Sequence, residues 1–340
     1  MLPDLPTGQS LTSRQAHVSR FQPWRLVAEK VPFAVLSAAF CLVAVWAQSV
    51  GKALADWEQL PLLERLDNAV VSYVIYLWQT VWPVNLAVFY PYPPEGRSAW
   101  EVGACLLLLL SITGGVLSQT RRRPYLLMGW LWYLITLLPV IGIVQVGEQA
   151  HADRYMYFPL ICLALSGTWG LADALEARGG SVRATWLTAG TVLLVTGGLA
   201  WMQTRYWRDS ITLFQHALQV TDENWLAHAT LASALMDVPS PDRLREAESH
   251  LHMALEINPN YATAHYNRAL VLSDLGDLSR ANVHFREALA LKPEHVRARL
   301  LLCLNLKRLG LTKELAKERA ELDARRDTLP EELRSALDAL

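Results

Sequence analysis

The chain changes its hydrophobic pattern once, near Arg205. Before that point six windows carry no Asp, Glu, Lys or Arg: Val31–Gly51, Asn68–Pro94, Val102–Thr120, Pro124–Gly147, Tyr155–Ala172 and Ala184–Thr204. Each is 18 residues or longer, and a helix rising ~1.5 Å per residue needs roughly 20 residues to cross ~30 Å of hydrocarbon. Beyond Arg205 no such window exists, and charge returns every few residues. The pattern predicts an N-terminal segment over 1–30, a transmembrane domain of about six helical spans over 31–204, and a water-exposed helical half over 205–340.

In the second half the pattern repeats. Pro259 and Pro293, Gly276 and Gly310, and Ala254 and Ala288 are each 34 residues apart. Within 262–294, Ala269, Leu272, Gly276, Ala281, Phe285, Ala288 and Pro293 stand where the 34-residue tetratricopeptide repeat needs small or apolar residues, a glycine between its two helices and a closing proline. Ala232, Ala247, Leu251 and Ala254 repeat the pattern upstream with about three extra residues in VPSPDR, and Phe214 and Ala217 fit the second helix of an earlier partial unit. One repeat cannot bury its own apolar face, so the units must stack. Thr328, Pro330 and Glu331 read as the start of a closing helix. The predicted fold is therefore all-α, a polytopic membrane helix bundle followed by a short tetratricopeptide-repeat α-solenoid. Its concave surface would be lined by residues such as Tyr266, Leu270, Asp274, Lys307 and Arg308, suited to an extracytoplasmic protein or peptide, with a spacer or self-association patch as the alternative.

Composition agrees with this division. Hydrophobic residues make up 52% of the 340, with 13 Trp, more than an average soluble chain carries. The net charge of −1 averages two unlike halves, and no block of five like charges points to nucleic acid. Cys41, Cys105 and Cys162 fall in predicted spans and Cys303 in a helix, with no disulfide or metal-ligand spacing and no cofactor motif. Pro3, Asp4 and Pro6 exclude a cleavable signal peptide at the start. Trp78, Trp82, Trp100, Trp130, Trp132, Trp186 and Trp201 read as interfacial belt residues. Pro83 and Asn85 predict a break near the outer end of the second span.

Orientation follows from short basic loops. Arg121, Arg122 and Arg123, and then Arg178 and Arg183, belong in the cytoplasm, so alternation places 92–101 and everything after Thr204 on the outer side. Arg14, Arg20, Arg25 and Lys30 conflict with that scheme unless further spans precede residue 1.

One stretch between spans is crowded with chemistry: GEQAHADRYMYFPL, residues 147–160. It could simply mark an outer loop, with Asp153 capping the next helix and Arg154 snorkelling to headgroups. Its arginine, carboxylates and tyrosines also suit a membrane-dissolved phosphate, because a guanidinium presents a fork of donors to an anion. Glu148, His151, Asp153, Arg154, Tyr155 and Tyr157 are the candidate residues.

EKVPFAVLSAAFCLVAVWAQ, NAVVSYVIYLWQTVWPVNLAVFYPYP and RRRPYLLMGWLWYLITLLPVIGIVQVGEQAHADRYMYFPL, followed by the repeats, resemble in order the transmembrane-and-tetratricopeptide (TMTC-like) family of O-mannosyltransferases. The resemblance covers about residue 20 to the end. It implies a GT-C type membrane fold, a polyprenyl-phosphate-linked sugar donor in the membrane lipid, protein acceptors and an extracytoplasmic repeat domain, with the acid–arginine pair of the family's second motif on Asp153 and Arg154. The family's acidic first outer loop, which supplies a general base, has no counterpart before residue 147. The chain therefore reads as the C-terminal portion of such an enzyme, inactive alone and lacking an N-terminal catalytic segment. The alternative is a non-enzymatic membrane-tethered repeat scaffold.

Overall fold

A computed structural model of the chain describes residues 23–50, 61–144, 147–179, 181–326 and 329–338. The expected cap at Thr328 lies outside these residues. The first described element, α1 (Pro23–Val50), belongs to a unit of its own and starts upstream of the first uncharged window, taking in Arg25, Glu29 and Lys30.

The second unit begins with apolar helices. These are α2 (Leu62–Val81), α3 (Ala99–Gln119), α4 (Pro124–Leu137), α5 (Tyr157–Ala177, entered through a 3₁₀ turn at Asp153–Met156) and α6 (Val182–Tyr206). Among the described residues three helical stretches are long and apolar enough to cross a membrane: Ala99–Gln119, Asp153–Ala177 and Val182–Tyr206. Helix α4 is apolar but 14 residues long. α3 and α6 have no buried residue at all.

The break expected near Pro83 occurs at Val81. A residue before proline is pushed out of the helical region, and Trp82, which precedes Pro83, is the non-helical C-cap. The chain then runs irregularly to Ser98, with Tyr90–Pro91 as strand β1 pairing antiparallel to β2 (Gln149–His151). α4, α2 and the loop after α4 share an aromatic core. Tyr76, Tyr133 and Leu137 are fully buried, the Tyr133 hydroxyl donates to the Tyr73 carbonyl at 2.5 Å, and the Tyr73 hydroxyl donates to the Leu134 carbonyl at 2.8 Å. Trp130 departs from the belt reading: it is buried, stacks on Tyr133 and donates to Thr113 Oγ1 at 3.0 Å.

The repeat half consists of α7 (Ser210–Val220), three helix pairs and a closing helix. The pairs are α8 (Trp225–Met236) with α9 (Pro241–Ile257), α10 (Ala262–Asp274) with α11 (Leu278–Leu291), and α12 (Val296–Arg308) with α13 (Thr312–Asp323); α14 (Glu331–Asp338) closes the stack. Side-chain caps start several of them. Asn224, Ser240 and Asp277 each accept from the backbone N–H three residues on, which satisfies donors the first turn leaves free. Gly276 and Gly310 end α10 and α12 at φ +88° and +70°, where a side chain would be strained. Phe285 is fully buried between α10 and α12, with Leu272, Leu302 and Leu306. α14 covers the end of the stack by burying Leu337 with Leu300, Cys303 and Leu322.

Candidate functional site

The sequence pairing β1 to β2 brings VFYPYP and QAHADRY together at one end of the apolar helices. Tyr90 is the hub. Its hydroxyl donates to Asp153 Oδ2 at 3.1 Å and accepts from the Ala87 N–H at 2.7 Å and Gln79 Nε2 at 3.3 Å. Its ring stacks on the His151 imidazole, centroids 4.0 Å apart, and Tyr76 meets that imidazole edge-on at 5.8 Å. The Tyr76 hydroxyl ties down the next residue, donating to the Ala152 carbonyl at 3.1 Å and accepting from the Ala152 N–H at 2.9 Å. The backbone leading into Asp153 is thus fixed by a group on α2.

His151 is 7% exposed, and neither ring nitrogen has a hydrogen-bond partner. Burial, reinforced by the Arg97 charge, lowers its pKa to about 3, so the imidazole is neutral at ordinary pH. Burial likewise raises the Tyr90 phenol above its ordinary value, with the Asp153 charge adding to the effect. Asp153 Oδ1 is also buried and unpartnered. Asp153 also lines a cavity of about 110 Å³, together with Gln79, Thr80, Leu86, Met156 and Leu160. Buried polar atoms are normally paired; of these two residues Asp153 lines the cavity and His151 does not.

A second polar layer flanks the first. Asn68 donates to the Ala150 carbonyl at 2.8 Å and accepts from Arg97, whose guanidinium also pairs with Glu101 at 3.3 Å. Burial pushes the Tyr92 phenol up to about 12, opposed by the Arg65 and Arg97 charges.

The six residues expected at the site are not one cluster. Asp153 and His151 are interior. Asp153 is not the cap expected of it: the N-cap of the 3₁₀ turn is Ala152, Asp153 is the first residue of the turn, and its carboxylate accepts from Tyr90. Arg154 is exposed and lies 5.2 Å above the Tyr155 ring, and Tyr155 accepts from Gln149 Nε2 at 3.0 Å. Asp153 and Arg154, though adjacent, are not paired with each other. Tyr157 is 79% exposed. Glu148 is exposed as a residue and faces the repeat half: partial desolvation raises its carboxyl pKa, and the Lys292 ammonium opposes the rise. Sequence reasoning missed Gln79, Tyr76, Asn68 and Arg97. Tyr90 lay in plain view within VFYPYP, but nothing local indicated its partner.

The first repeat helices hold the segment that carries Tyr90. Gln203 Nε2 and His216 Nε2 both reach the Leu86 carbonyl at 3.2 Å, and His216 stacks on Tyr206 at 3.6 Å. Asn224 donates to the Phe89 carbonyl at 3.0 Å, and Ala87 packs with Ala217 and Ala227.

Of the residues expected on the concave face of the repeats, Tyr266 is half-buried against His295 at 4.5 Å and Phe285 at 6.1 Å, and Leu270 packs onto the Phe285 core. Asp274, Lys307 and Arg308 are exposed.

Residues 262–295 match the tetratricopeptide repeat family. Solved structures similar to the chain include MamA (21% identity over 48% of this chain and 88% of that one, TM-score 0.33). Another is YrrB, described as a TPR protein with an unusual peptide-binding site (17% identity, 67% and 98%, TM-score 0.34). Comparison with curated proteins gives no match. The chain thus carries a tetratricopeptide repeat solenoid joined to apolar helices.

Proposed function

We propose that this is a membrane-anchored tetratricopeptide-repeat protein whose solenoid binds an extracytoplasmic protein or peptide. Its apolar half forms part of a polyprenyl-phosphate-sugar site, as in the protein O-glycosyltransferases that the sequence resembles. The carrying observation is the joining of β1 and β2. The two segments on which the resemblance rests, VFYPYP and ADRYMYFP, meet through the Tyr90–Asp153 hydrogen bond at the edge of a cavity and directly beside the first repeat helices. Apolar helices without buried faces supply the membrane environment. Arg154, exposed beside them, is the group for a lipid phosphate, while Asp153 supplies the acidic residue of the cavity lining.

The chain acts with a segment or separate chain that provides the acidic outer loop. In sugar transfer by that reconstituted assembly, Arg154→Lys keeps charge but loses the forked contact. Transfer should fall roughly tenfold, the equivalent of about 1.4 kcal/mol, at unchanged expression. Transfer equal to the parent would remove Arg154 from the site.

A second reading, a non-enzymatic tethered scaffold, is favoured by one observation: among the described residues Asp153 is the sole carboxylate lining the cavity. Genomic sequence immediately upstream separates the two. Apolar spans with an acidic loop support the enzyme, and unrelated sequence supports the scaffold.

A further inference from the structure

Each helix pair of the solenoid carries a polar contact at the same repeat position. In the first pair His228 Nδ1 on α8 faces His250 Nδ1 on α9 at 2.9 Å; in the second His265 Nδ1 on α10 faces His284 Nδ1 on α11 at 3.1 Å. In the third, Arg299 on α12 binds Glu318 on α13 at 2.8 Å. Positions 250, 284 and 318 are 34 apart, as are 265 and 299, and 228 precedes 265 by 37 because of the three extra residues in VPSPDR. The same site therefore holds histidine facing histidine twice and a fixed ion pair once.

Two imidazoles whose Nδ1 atoms approach this closely share one proton: one ring donates and the other accepts. One added proton is tolerated, because an imidazolium still donates to its neutral neighbour; a second added proton leaves two donors, and two positive charges, facing each other. An arginine–glutamate pair in the same place keeps its charges down to the range where carboxylates protonate. We propose that the two histidine pairs make the first two repeats a pH-sensitive element, which loosens in mildly acidic surroundings while the third repeat stays closed.

The charges around the pairs do not cancel the effect. Glu246 on α9 acts on His250, and Glu248 on α9 acts on His284. Glu248, however, is already bound by Arg268 of α10 at 2.7 Å, and Arg268 and Arg280 both repel a proton on His284. Burial, then the facing histidine, lowers His228 to about 4; burial, then Arg268 and His265, lowers His284 to about 4; burial also lowers His250. A histidine with a folded pKa below its unfolded value of ~6.5 leaves stability untouched above that value. Stability is then lost as pH falls from about 6.5 toward the folded pKa, because the unfolded chain takes up the proton first. The third pair holds arginine and glutamate, not histidine, at this position.

Amide hydrogen exchange of the full chain in detergent, at pH 7.5 and pH 5.0 and corrected for the intrinsic pH dependence, tests this. Amides of α8–α11 should exchange roughly tenfold faster at pH 5.0, and those of α12–α13 should not. The His250→Gln/His284→Gln variant, which cannot place two charges at either site, should lose most of the response. If that variant is unprotected even at pH 7.5, the contrast between α8–α11 and α12–α13 in the parent decides alone. Equal protection of α8–α11 at the two pH values, or an equal response across all three pairs, would overturn the proposal. So would an undiminished response in a folded variant.

Discussion

Gly129 stands where α4 crosses α5 at its closest. A Cβ there would lie 2.0 Å from Ser166 Oγ and 2.8 Å from the Cys162 carbonyl oxygen, and Ser166 is itself held by donating to the Tyr125 carbonyl at 2.9 Å. The carbonyl cannot swing aside as a flexible side chain could, so Gly129→Ala must push the helices apart. Such overpacking costs about 1–3 kcal/mol. Gly170 on α5 is the control, because its added Cβ would make only ordinary contact, at 3.9 Å from Leu126, and alanine favours the helix. In detergent the thermal midpoint should drop for Gly129→Ala and stay level or rise for Gly170→Ala. Equal midpoints would mean that the crossing is not tight. Nothing in the neighbouring sequence separates the two glycines. The difference is set by which atoms of another helix come opposite, and local pattern carries no record of that. The same holds for Asp153, whose role as a partner of Tyr90 follows from a pairing across 63 positions of chain.

At the scale of elements, what could be read depended on whether a signal was local or repeated. The 34-residue period specified the helix pairs because glycine, alanine and proline positions each recur in two successive units, and Gly276 and Gly310 duly end α10 and α12. The break after α2 was also legible, since Pro83 acts on the residue before it. The use made of the freed chain was not. Residues 82–98 form a strap between the apolar helices and the repeats, and its strand β1 pairs with a strand that no turn connects to it. Asn224 shows how the strap is fastened. Its Oδ1 caps α8 at the Ala227 N–H, 2.9 Å away, while its Nδ2 holds the Phe89 carbonyl. Asn224→Ser keeps an acceptor of good capping type but is too short to retain the second bond. One such bond is worth about 0.5–1.5 kcal/mol. Amide exchange over 86–90 should therefore quicken roughly threefold to tenfold while α8 remains protected. Unchanged exchange in the strap would show that Ala87 packing alone secures it.

For the whole molecule, the ends of the apolar helices differ in charge and in what they carry. Arg123 pairs with Asp173 at 3.2 Å, and the Tyr125 hydroxyl donates to the same carboxylate at 2.6 Å. The start of α4 is thereby tied to the last turns of α5, which places the arginine-rich turn 121–123 at the same end as Arg178. The opposite ends of these helices lead into the Tyr90–Asp153 cluster, and α6 runs from Arg183 to the repeat half. If α3, α5 and α6 cross a membrane, the positive-inside bias keeps the arginine end in the cytoplasm, and both the cavity and the solenoid face outward. Topology reporters in cells can decide this. A fusion after Asp222 should be active with a reporter that works only outside the cytoplasm, and a fusion after Arg122 with one that works only inside. Cytoplasmic activity after Asp222 would place the solenoid on the wrong side for an extracytoplasmic acceptor, and the glycosyltransferase reading would fall with it.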